Sequence, residues 1–178
     1  TLEGSGTIYY TLDGSRPTTE SAVYTKPIPI TGVTTIRTFR TEDGRSSVLT
    51  AYTYIVGKNH DLPIVSLSIP QESLTGELGV LNNIQESYEY EGVVTLMEGG
   101  VEKFSVPCGF RLHGNDSRKE AKQNFQLRFR SKYGAGKLKY PLFENRDLEE
   151  YDSLLLKGGS EDFNQAMLRD EFACAIVE

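Results

Sequence analysis

The chain has 178 residues, 38% of them hydrophobic, enough to bury one good core or two small ones. Its formal net charge of -6 and pI near 5.1 exclude a general nucleic-acid binder, which needs an excess of cations to displace counterions. No apolar run reaches the length of a membrane-spanning helix.

Residues 1–56 are dense in Thr, Tyr, Val and Ile, carry turn residues between the runs, and hold no helical pattern. TIYYTL at 7–12 predicts a strand, and DGSRPT at 13–18 predicts a turn with Gly and Pro as punctuation. VYTKPIPI at 23–30 has two prolines, which suits an edge or irregular strand. VTTIRTFRT at 33–41 and SVLTAYTYIV at 47–56 flank Glu42-Asp43-Gly44-Arg45, a hairpin signal. Short strands at this spacing predict a small β-sandwich. Tyr9, Tyr10 and Tyr24 read two ways, as a sugar-stacking platform or as ordinary sheet packing.

The run YYTLDGSRPT, the Thr-Ile-Arg strand after it and DGRSSV at 43–48 resemble the chitobiase/β-hexosaminidase C-terminal type domain. That family is an immunoglobulin-like module of bacterial secreted proteins. The resemblance implies an accessory domain without chemistry of its own.

GKNHD at 57–61 is a connection too short for free tumbling. LPIVSLSI at 62–69 is a buried-strand candidate with apolar residues on both faces. ESLTGELGVLNN at 72–83 is turn-rich, and YEYEGVVTLMEGGVEKFSV at 88–106 predicts a hairpin turning at Gly99-Gly100. CGFRLHG leads into GNDSRKEAKQNFQLRFR at 114–130, where Phe125, Leu127 and Phe129 share one strand face. After the loop GAGKLKYPLF comes a short buried strand, DSLLLKGG at 152–159. DFNQAMLRDEFACAIVE at 162–178 has helical spacing but lacks a stop signal, which points to a piece of a longer protein. Residues 62–178 therefore predict an α+β unit with an antiparallel sheet and a C-terminal helix.

Chemistry concentrates in the stretch 114–130. Arg118, Lys119, Lys122, Arg128 and Arg130 gather there in a net acidic chain. Lys119, Arg128 and Arg130 read as a solvated sheet face. Arg118 follows Gly114-Asn115-Asp116-Ser117, a tight polar turn whose amides can cluster around an anion, and a guanidinium beside it can grip a phosphate with two hydrogen bonds. No P-loop pattern is present. Cys108 and Cys174 lack metal-ligand spacing, His60 and His113 are scattered, and no metal ligand is assigned.

LPIVSLSI, the long run from Gly109 through the 114–130 stretch to Phe143, and YDSLLLKGGSEDFNQAMLRDEFA together resemble the front part of a CotH domain, over residues 62–178. The family includes the spore-coat protein CotH, has an atypical kinase-like fold, and contains members that phosphorylate serines of secreted proteins. The resemblance implies that Gly114, Ser117 and Arg118 lie beside nucleotide phosphates, with Lys122 and Gln123 at the strand entry. The family's lysine at that entry is Gln123 here, and an amide binds phosphate without neutralising it. Arg169 and Asp170 match the family's helix motif, where the acid would orient a phosphate-binding cation. Catalytic acids are expected downstream of Glu178, so the fragment alone is expected to be inactive, with ATP and Mg²⁺ or another divalent metal acting in the full parent. The implied setting is extracellular or cell-surface, and the implied partner is a secreted or surface protein substrate. The alternative is a non-catalytic module for adhesion to polysaccharide or cell wall. No nucleic-acid partner is expected.

Overall fold

A computed structural model describes residues 2, 4–47, 49–57, 60–143 and 146–159. The expected C-terminal helix, and with it Arg169 and Asp170, lies outside the described residues. The described chain is mostly antiparallel sheet with one short helix, an architecture consistent with a β-sandwich.

The first sheet is built from β1 (Thr7–Thr11), β2 (Ala22–Val23), β3 (Thr34–Glu42), β4 (Arg45–Ser46) and β5 (Thr50–Tyr54). β3 is its centre: it pairs with β1 on one side and with both β4 and β5 on the other. The expected hairpin turns at Asp43 (φ 48°) and Gly44 (φ 74°), the pair of positive φ values that matches strand twist in a tight turn. The proline-rich segment 23–30 contributes only Val23, the second residue of β2, since Pro27 and Pro29 cannot donate to a ladder. The turn after β1 is closed locally, with Asp13 Oδ1 accepting from the Ser15 amide (3.0 Å) and hydroxyl (2.6 Å).

The second sheet takes β6 (Ile64–Ser68), β7 (Tyr90–Glu98), β8 (Val101–His113), β9 (Asn124–Arg128) and β12 (Ser153–Leu156), in the order β12-β9-β8-β7-β6. α1 (Gln71–Thr75) follows β6, and β10 (Leu138–Lys139) pairs with β11 (Glu150–Tyr151). The β7–β8 hairpin turns at Gly99-Gly100 as expected. β8 runs for 13 residues and carries CGFRLH in one continuous strand, ending at His113 just before Gly114.

The sequence singles out residues 62–69 as the strand buried on both faces, but β6 is an edge strand and Val65 is 48% exposed. β7 takes that role, because each of its faces is covered by a different layer. On one face Val94, Cys108, Phe110, Leu112, Leu127 and Phe129 form the main core. Burying side chains of this size stabilises by about 1.5–3 kcal/mol each. On the other face Val93 and Thr95 meet the first sheet.

That junction is polar. Thr35, Thr53, Thr95 and Ser105 form a chain of hydroxyl contacts at 2.9, 3.4 and 2.9 Å, linking β3 and β5 to β7 and β8. Arg37 of β3 is fully buried, donating from Nη1 to the Gly14 carbonyl (2.9 Å) and from Nη2 to Glu91 of β7 (2.9 Å). Gly14 itself (φ 79°) packs so closely that a Cβ would stand 3.0 Å from the Ile69 carbonyl. The turn in the YYTLDGSRPT motif thus fits the second sheet as well as its own strand.

Candidate functional site

Three separate segments meet at one corner of the second sheet: the turn after β8, the entry to β9 and the residues after β12. Gly114 takes φ 96°, and a Cβ there would strike the Ser117 hydroxyl. Residues Asp116–Lys119 close a single 3-10 turn. Buried Asn124 ties the corner together. Its Nδ2 donates to Ser117 Oγ at 3.4 Å, and its Oδ1 accepts from the Gly158 amide at 2.6 Å. Gln123 Nε2 donates to the Arg118 carbonyl at 3.5 Å, while Lys122 is exposed.

Four of the residues singled out by sequence, Gly114, Ser117, Arg118 and Gln123, therefore share this corner with Lys122 at its rim. Arg118 does not extend into water. Its Nη1 donates to the carbonyls of Ile84 (3.0 Å) and Glu86 (3.2 Å), which pin the guanidinium against the segment before β7. Its Nε is buried with no partner among the described residues. A buried N–H left this way costs about 1–3 kcal/mol, and an anion accepting from it would relieve that cost.

The cations expected to face water behave differently. Lys119 is exposed and pairs with Asp116 at 3.1 Å, one turn away. Arg128 and Arg130 instead converge on Glu89, at 3.2 and 3.6 Å, together with Lys132 at 3.3 Å and the Tyr133 hydroxyl at 3.0 Å. Glu89 is only 12% exposed in its side chain. Burial alone would raise its pKa, but the hydrogen bonds from Tyr133 and Lys132 and the charges of Arg130 and Lys132 outweigh it, leaving Glu89 below the usual carboxylate value. Three cations around one carboxylate leave a local positive surplus in an acidic chain. Sequence reading missed Glu89 altogether. Its only trace was the alternation of Glu89 and Glu91 with Tyr88 and Tyr90, read simply as half of a hairpin.

Tyr9 and Tyr10 are neighbours on β1 and so point to opposite faces of the sheet. Tyr9 stacks on Phe39 at 5.2 Å and Tyr10 meets Tyr24 edge-on at 6.5 Å, so the three rings form no single platform. Cys108 is fully buried, and burial pushes its thiol pKa up to about 12. Among the described residues no group of three or more His, Cys, Asp or Glu is placed to hold a metal ion. No helix among them is long and apolar enough to cross a membrane.

Residues 1–52 match the chitobiase/β-hexosaminidase C-terminal domain family, under half of the chain. Neither the curated proteins nor the solved structures gave a match to this chain.

Proposed function

We propose that this chain is the accessory module and the front of a nucleotide-binding lobe from a secreted or surface-attached CotH-type protein kinase. Residues 62–178 carry the lobe's front half, and residues 1–56 carry the module, joined through 57–61. The corner at Gly114, Ser117, Arg118, Lys122 and Gln123 receives a phosphate of ATP, with Arg169 and Asp170 contributing from the segment beyond. The partner would be a secreted or surface protein bearing the acceptor serine. One observation supports this most. The motif residues quoted for the CotH resemblance are dispersed over 45 positions from Gly114 to Gly158, yet Asn124 hydrogen-bonds both Ser117 and Gly158. A turn anchored this way holds Arg118 in a fixed position, with one buried N–H that has no partner among the described residues.

The chain's own residues supply binding and orientation only. A guanidinium fixed by two carbonyls can donate to a phosphate oxygen without first losing its own side-chain freedom. The bound nucleotide and its divalent metal would supply the transferable phosphoryl group in the full parent. Transfer itself needs acids expected beyond Glu178.

Titrating the full-length parent with ATP and Mg²⁺ tests this reading. Measurable binding is expected, falling about tenfold or more in Arg118→Ala with an unchanged melting curve for the first sheet. Absence of binding, or equal binding by the variant, removes the proposal.

A second reading, a non-catalytic module for polysaccharide or cell-wall attachment, is favoured by the family match at residues 1–52. It is separable, because it concerns the first sheet and its junction instead of the 114–124 corner. Retention of the chain on insoluble polysaccharide would support it, and clean elution from a panel of such polymers would count against it.

A further inference from the structure

Away from the 114–124 corner, cations gather on the face of the second sheet that also meets the first sheet. Glu91 of β7 stands opposite Gly109 of β8, and Gly109 opposite Arg128 of β9, so one row crosses three strands. Gly109 leaves that row open at its middle, since a Cβ there would lie 2.5 Å from the Tyr133 ring and 2.9 Å from Glu89 Oε1. The Glu89 carboxylate occupies the opening and draws in Arg128, Arg130 and Lys132. Two positions further along the chain, Glu91 holds exposed Arg16 and buried Arg37 from the first sheet. Arg111 lies two positions beyond Gly109 and so on the same face of β8. It meets the Ser87 hydroxyl at 3.5 Å, pairs with no carboxylate among the described residues, and keeps a buried Nε without a partner there.

Six cations, Arg16, Arg37, Arg111, Arg128, Arg130 and Lys132, thus meet two carboxylates on one face of a chain whose net charge is -6. The local sign is opposite to the chain's. Arg16, Arg130 and Lys132 have side chains 65%, 41% and 56% exposed, so the surplus reaches water. Arg128, Arg130 and Lys132 together carry about thirteen N–H donors, whereas one carboxylate offers roughly four lone-pair sites. Glu89 cannot use most of them. An anion gains charge-assisted hydrogen bonds from such donors, and finds side chains that Glu89 has already positioned. The Glu91–Gly109–Arg128 row spans two inter-strand steps, roughly 9–10 Å, which is longer than one anion needs and suits a repeating polyanion. We propose that this face binds a linear anionic polysaccharide, its carboxylate or sulfate groups held by Arg16, Arg128, Arg130 and Lys132. The site rests on the polysaccharide reading above and gives that reading a ligand class. The family match at residues 1–52 favours a polysaccharide over a nucleic acid or an acidic peptide of the same charge. Arg16 belongs to the DGSRPT turn inside that match, while the other three cations lie on β9 and just after it, so the site needs both segments.

The test measures binding of the whole chain to polygalacturonate and to heparin, which separate carboxylate from sulfate as the recognised group. Dextran serves as a neutral polymer, poly-glutamate as an acidic peptide, and a random-sequence oligonucleotide as a phosphate polymer. Wild type is expected to bind at least one anionic polysaccharide more tightly than these three, with affinity falling as salt is added. Arg130→Gln combined with Lys132→Gln should weaken that binding by about tenfold or more. Arg16→Gln should weaken it several-fold, and reads the face from the other segment should the double variant fold poorly. Lys26→Gln, an exposed cation with no contact to this cluster, should leave it unchanged. Anionic-polysaccharide binding that ignores the Arg16, Arg130 and Lys132 substitutions would overturn this face and leave the polysaccharide reading standing. Binding only to neutral polymers, dextran or the insoluble panel, would overturn the ligand class and leave that reading standing. No binding to any saccharide would overturn both. Equal or tighter binding to poly-glutamate or the oligonucleotide would overturn the choice of a polysaccharide.

Discussion

Arg37 Nη2 lies 2.9 Å from Glu91 Oε1, joining the centre of the first sheet to the doubly covered strand of the second. The guanidinium has no exposed surface, whereas Glu91 is 19% exposed and also meets Arg16 at 2.8 Å. Burial lowers the Arg37 pKa and the nearby carboxylate opposes the shift. The arginine is thus a desolvated charge held by one partner from each layer.

Glu91→Ala should therefore destabilise the chain by about 3–5 kcal/mol, toward the lower figure because Glu91 is partly solvated. Arg16→Ala should cost under about 1 kcal/mol, since that partner is largely exposed. Urea unfolding read by near-ultraviolet circular dichroism separates the two. Equal losses would mean the buried arginine has another anchor.

Glu89 makes stability depend on pH in a definite direction. Its folded pKa lies below the ordinary carboxylate value of 4.5, so its contribution is fully present above that value and is lost as pH falls through the folded pKa. Glu89→Gln should cost about 1.5–3 kcal/mol at neutral pH, because Arg128, Arg130 and Lys132 lose their shared carboxylate. The gap between variant and wild type should close under acid. A gap constant down to strongly acidic pH would contradict the ion cluster.

The Cys108 thiol, pushed up to about 12 by burial, should resist labelling by thiol reagents at neutral pH. Mass spectrometry after a labelling pulse should show Cys108 unmodified in native protein and modified in denaturant. Rapid native labelling would mean that the second sheet opens readily.

Gly114→Ala should lose about 1–2 kcal/mol, since φ 96° strains any side chain there. Amide exchange at Gly158 should quicken in the same variant, because the displaced Ser117 disturbs the Asn124 bridge. Unchanged exchange would show the turn and the end of β12 to be independent.

Gln123→Lys tests the phosphate reading from the opposite side. If the corner receives a phosphate, introducing a cation at the β9 entry should raise the full-length protein's ATP affinity several-fold. Unaltered affinity would place the nucleotide elsewhere.

Much of the fold was legible in local chemistry. Asp43-Gly44 and Gly99-Gly100 carry the positive φ values their hairpins need, and Phe125 and Leu127 alternate inward as strand periodicity dictates. The corner was partly legible too, since a glycine and short polar residues before an arginine mark a turn that can present donors. What local pattern could not carry was pairing across distance. Arg128 and Arg130 look like a wetted strand face until Glu89, some 40 positions earlier, is folded beneath them. Apolar runs likewise made β6 look interior, although sheet order makes β7 the strand covered on both faces.

The sequence by itself determined most strands, their turns and the family match of residues 1–52, because dihedral preference and side-chain alternation are local properties. Only the tertiary structure decided that a glycine in the first turn abuts the second sheet, that Arg37 finds its carboxylate there, and that Arg128, Arg130 and Lys132 close on Glu89. Those outcomes depend on which surfaces exclude water together, and desolvation is a property of the assembled layers.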